Sequence, residues 1–186
     1  MPEKKKVKLL ARFLWTAISC CLLFATLALT ADAQKREHLT PEEIEIIRDT
    51  QDLDKRTEVF VKAINRRLTA INGGVEIVAA KKVKKDNADW GALPTGTKPQ
   101  LIYDIADIME EAMDNIDLVY TRDEKNPLIA KALKTLSESA LQLQTALKPF
   151  EKINSGEADA AKQALDKAEQ ILKAQAEFSA ARKPVS

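Results

Sequence analysis

Apolar side chains recur at helical spacing in four runs along this chain. In the first, Ile44, Ile47, Phe60, Ile64, Leu68 and Ile71 follow one another at steps of three, four or longer, with Leu53 and Thr57 between them. This pattern predicts one long helix from Pro41 to Ile71 with a single buried face. Its start is marked by Thr40 as N-cap, Pro41 at the first helical position and Glu43 three residues after the cap, the sequence form of a capping box. Asn72-Gly73-Gly74 marks its end, because glycine accepts the left-handed backbone that closes a helix.

The second run, Gln100 to Arg122, sets Leu101, Ile105, Ile108, Ala112, Ile116 and Val119 on one side. Asp104, Asp107, Glu110, Glu111, Asp114 and Asp117 fall opposite, so the expected helix has one apolar and one acidic face. A third helix opens at Asn126-Pro127 and carries Ile129, Leu133, Leu136, Ala140, Leu143 and Leu147 as far as Pro149. The fourth follows Asn154-Ser155-Gly156 and presents Ala161, Ala164, Leu165, Ala168, Ile171, Leu172, Gln175 and Phe178, a face whose small residues allow close helix approach. With no convincing strand, the expected fold is all-α, an antiparallel up-down bundle of about four helices. Short turns join the later helices. A long connection around 72–99 joins the first to the second and leaves the helix order around the bundle open.

Residues 1–33 are not part of that pattern. Lys4, Lys5, Lys6, Lys8 and Arg12 precede an apolar run from Phe13 to Leu29, and Ala31-Asp32-Ala33 follows it. Basic start, apolar centre and small residues at −3 and −1 make a secretory signal peptide, with cleavage expected between Ala33 and Gln34. An uncleaved signal acting as a membrane anchor is the alternative, since about 17 residues lie at the lower limit for spanning. The short lysine-rich start and the Ala-x-Ala site point to a bacterial exported protein, periplasmic or secreted. Residues 34–39 then form a polar tail, and 40–186 one helical domain.

Processing changes the charge. The chain carries 29 Lys and Arg against 28 Asp and Glu, net +1. Residues 1–33 hold five of the former and two of the latter, so the remainder is formally −2. That balance gives no general attraction to nucleic acid or anionic membranes. Both cysteines, Cys20 and Cys21, lie within the signal, which removes disulfides and thiolate chemistry from the mature chain.

Candidate chemistry is sparse. The single histidine, His38, falls in the polar tail, and Ser137 and Ser139 near Lys134 have no oxyanion-hole motif beside them, so no catalytic residues are assigned. Neither Glu-x-x-His nor Cys-x-x-Cys-His occurs, and Met109 and Met113 fall where packing accounts for them, so no cofactor is expected. Asp104, Asp107, Glu111 and Asp114, stacked on one helix side, are the weak candidates for a hard cation. The basic run Lys81, Lys82, Lys84 and Lys85, with Trp90 close by, is the candidate binding surface for phosphate or lipid headgroups, the alternative being a solvated linker. Trp90 is expected to pack across a bundle end beside Leu93. Leu39 to Glu43 resembles the Leu-Thr-x-x-Gln motif of small helical periplasmic stress chaperones, with Glu43 in place of Gln and no second copy; a capping box accounts for all five residues.

These readings converge on an exported, non-enzymatic protein that binds another envelope protein or plays a structural part in the envelope. The alternative is a small-ligand or metal-ion carrier that uses the bundle interior or the acidic face.

Overall fold

The computed structural model describes residues 37–73, 90–152 and 155–182, and the fold is all-α, with no strand among them. The expected signal peptide and its cleavage site at Ala33 and Gln34 lie outside the described residues, as do Lys81, Lys82, Lys84 and Lys85. Among the described residues five helices follow in order: α1 (Pro41–Asp49), α2 (Leu53–Ile71), α3 (Lys98–Arg122), α4 (Pro127–Leu147) and α5 (Ser155–Ala181). A short 3₁₀ segment, Lys148–Lys152, continues from α4.

The expected single helix from Pro41 to Ile71 is two helices. Thr50 closes α1, with both its N–H and its hydroxyl donating to the Ile46 carbonyl at 3.1 and 2.7 Å. Asp52 then opens α2, and Arg56 Nε donates to the Thr50 carbonyl at 2.8 Å across the break. The cause is visible in the spacing. A step of six from Ile47 to Leu53 turns a continuous helix by about 600°, leaving Leu53 roughly 120° off the face that Ile47 occupies. Interrupting the helix resets that phase, and Leu53 is buried while Ile44 and Ile47 pack against the core.

The start of α3 also differs from expectation, by two residues. Thr97 is the N-cap, its hydroxyl accepting from Gln100 N at 3.4 Å while Gln100 Oε1 accepts from Thr97 N at 2.9 Å. Pro99 occupies the first turn, where the missing N–H costs nothing. The start of α4 falls as expected, Asn126 capping it through Oδ1 on Leu128 N at 2.9 Å, whereas α5 begins at Ser155, two residues earlier than expected.

One core joins α2 to α5. Phe60, Ile64 and Leu68 of α2 meet Ile102, Ile105, Ile108 and Ile116 of α3, Ile129, Leu136 and Leu143 of α4, and Ala160, Ala161, Ala164, Ala168 and Ile171 of α5. Helix α3 packs on α2, α4 and α5, and α4 packs on α2 and α5; among the described residues no Cα atom of α2 comes within 8 Å of one of α5. Between α3 and α5 the pairs Glu110–Lys167 (3.0 Å), Tyr120–Phe178 (centroids 6.4 Å apart) and Glu124 O–Arg182 (2.8 Å) advance together, so these two helices run in the same sense. Met109, at 1 % exposure, is a core residue and Met113 packs against the core, as the packing reading of both requires.

Candidate functional site

A cluster of charged groups lies where the lead-in to α1, the later half of α2 and the stretch Trp90–Ala92 meet. It begins with the capping box. Glu43 N donates to the Thr40 hydroxyl at 3.3 Å and Thr40 N donates to Glu43 Oε2 at 2.9 Å, as the Thr-x-x-Glu pattern requires. The box directs the Glu43 carboxylate inward, where its side chain is wholly buried. The other oxygen, Oε1, accepts from Arg67 Nη1 at 2.5 Å and from Arg66 Nε at 2.9 Å.

Arg67 is itself buried, at 1 % exposure. Nη1 also donates to the Ala63 carbonyl at 3.0 Å, Nη2 donates to the His38 carbonyl, and Nε has no hydrogen-bond partner among the described residues. Arg66 reaches the other way: Nη2 donates to the Ala92 carbonyl and Nη1 to the Gly91 carbonyl at 3.5 Å. Its guanidinium lies 5.6 Å from the Trp90 ring centroid, and Lys62 Nζ lies 4.0 Å from the same ring. A ring at 8 % exposure under two cations is an attachment of about 1 kcal/mol or more. Gly91 follows in a left-handed conformation (φ 59°), where a Cβ would stand 2.9 Å from Glu42 Cδ.

Trp90 is held by α2 through Lys62 and Arg66, and Leu93 is 40 % exposed. One expectation is corrected. His38 is not a residue of a detached tail: its Nε2 lies 2.7 Å from Glu111 Oε2 on α3, and Leu39 after it is buried. The imidazole pKa is raised above 6.5, chiefly by the hydrogen bond to Glu111, with burial opposing and the charges of Glu111, Asp107 and Asp104 adding to the rise.

The acidic side of α3 is divided in the same way. Asp104 is buried at 6 % exposure, Asp107 and Glu111 are half-buried, and Asp114 is exposed. Among the described residues no group of three or more His, Cys, Asp or Glu side chains is arranged to hold a metal ion, and no helix is long and apolar enough to cross a membrane. Ser137 and Ser139, placed near Lys134 by the sequence, are buried; the Ser137 hydroxyl donates to the Lys134 carbonyl, a bond within the helix.

Two residues of this cluster, Arg66 and Arg67, carry a signal that the apolar pattern hides. Arg67 stands four residues after Ala63 and four before Ile71, within the buried stripe of α2. A cation at core spacing needs a buried counter-charge, and Glu43 is the carboxylate that a capping box draws inward. Comparison of the chain with protein-family models, with curated proteins and with solved structures yields no match.

Proposed function

We propose that this is an exported, non-enzymatic protein whose helices α2 to α5 form an up-down bundle and which binds another protein of the cell envelope through the stretch Trp90–Thr97. The observation that carries the reading is the pairing of a fixed backbone with an outward apolar side chain. Trp90 under Lys62 and Arg66, and the carbonyls of Gly91 and Ala92 on Arg66, fasten the stretch to α2, while Leu93 stands 40 % exposed above it. A partner meeting such a surface orders little chain on binding, and that saved ordering cost appears as affinity. The Thr97 capping box fixes the far end where α3 begins.

Export rests on the three-zone reading of residues 1–33, which places the protein in the periplasm or outside the cell. Lys81, Lys82, Lys84 and Lys85 precede this stretch in sequence, and their charge would favour an acidic patch on the partner.

The test is in-cell photocrosslinking with a photoreactive residue at position 93 and, separately, at position 141. Leu141 on α4 is 55 % exposed, more accessible than Leu93, and serves as the control. Specific adducts with one envelope protein from position 93, absent from position 141 and lost in W90A, are expected. Identical adduct patterns from both positions, or none from position 93, refute the surface.

A further inference from the structure

We propose that the contact between His38 and Glu111 is a protonation-dependent fastening of the lead-in His38–Thr40 to α3, closed while the imidazole is charged and loosened when it loses its proton. Besides the capping box at Thr40, the described residues hold the lead-in by Leu39 buried in the core, the His38 carbonyl on Arg67 Nη2, and the His38 ring on Glu111. A buried apolar side chain and a guanidinium do not titrate near neutral pH. The ring is the one attachment that does.

Every element against the ring contributes to its balance. From α3 come Glu111 at 2.7 Å and the carboxylates of Asp107 and Asp104, all favouring the cation. From α2 comes Arg67, bonded to the backbone of His38 and opposed in charge by Glu43 of α1. The raised pKa agrees with that excess of carboxylates. The sign follows: a group whose folded-state pKa lies above 6.5 contributes its full stabilisation below that value and loses it as pH rises through the folded-state pKa. Loosening reaches beyond the ring, because Arg67 shares Glu43 with Arg66, and Arg66 holds Ala92. The device therefore ties the lead-in of α1 to the stretch that carries Leu93.

The chain contains one histidine, so its ring protons form a single resolved NMR titration in the protein as isolated. The ring of the native protein is expected to titrate above 6.5 and to move back toward that value in E111Q, with a smaller shift in D107N. Amide protection at Leu39 and Thr40, measured against amides in the middle of α4, is expected to fall about fivefold between about pH 6 and about pH 8.5. In H38Q the same ratio should not change with pH. A native ring that titrates at or below 6.5, or a Leu39 and Thr40 protection ratio independent of pH in the native protein, overturns the proposal.

Discussion

Glu43 is the residue on which most of the described polar network depends. Among the described residues its carboxylate is the only counter-charge bonded to Arg67, and Arg67 is buried with one nitrogen already unpartnered there. E43Q therefore leaves a cation in a low-dielectric setting, a loss of about 3–5 kcal/mol. E45Q is the control, since the Arg48–Glu45 pair has both side chains more than half exposed and contributes only a few tenths of a kcal/mol. The expected result in urea unfolding is a lowered midpoint for E43Q at an unchanged slope, and a midpoint for E45Q indistinguishable from the native protein. Replacing both partners, as in E43L/R67M, should recover most of the loss, because the penalty belongs to the stranded charge more than to the pair. Glycine supplies a second comparison at this scale. Gly73 and Gly91 both have φ near 60°, but a Cβ at Gly73 meets open space and one at Gly91 meets the end of the flexible Glu42 side chain. G73A and G91A should each cost about 1 kcal/mol, set by the backbone conformation. A G91A loss several times that of G73A would show that Glu42 does not give way.

At the scale of the helices, packing on α5 depends on small side chains. Ala160, Ala161, Ala164 and Ala168 have no exposed surface, and α5 lies against both α3 and α4. A168L inserts three carbons where no space is open and should destabilise by about 1–3 kcal/mol, whereas A180L, at an exposed position, should be near neutral. Thermal unfolding of the two variants separates these outcomes; equal midpoints would mean that α5 shifts freely against its neighbours. Helices α4 and α5 were legible in the sequence because their patterns keep one phase from cap to end. The break between α1 and α2 was not, because a run that is apolar at both ends conceals a step of six within it. The site was legible only in part. Trp90 stands out by type, but Arg66 and Arg67 are ordinary helix residues until the fold brings Glu43 to them from 24 residues away in sequence. His38 was obscured by its neighbours: polar residues before a cap suggest solvent, and only the placement of α3 supplies Glu111.

For the whole molecule, two pairs set opposite limits on stability with pH. Asp54, buried at 5 % exposure, is bonded to Lys131 of α4, and that bond first of all holds its carboxyl below the usual 3.8. A depressed carboxylate contributes stability above its unfolded value, and that contribution is lost as pH falls through the folded-state pKa, below 3.8. His38 acts in the other direction, its contribution complete below 6.5 and lost as pH rises through its elevated pKa. Both pairs join separate helical segments, Asp54 linking α2 to α4 and His38 linking the α1 lead-in to α3, so each loss is felt in the cooperative unfolding of the whole. The melting temperature should be highest between about pH 4.5 and 6.5 and decline on both sides. D54N should flatten the acid side and leave the alkaline side as it is; H38Q should do the reverse. Added salt should reduce the Asp54 contribution, because Lys131 lies at the surface, where ions screen it. A D54N melting curve that matches the native protein from pH 2 to pH 5 would remove Asp54 as the cause of acid unfolding.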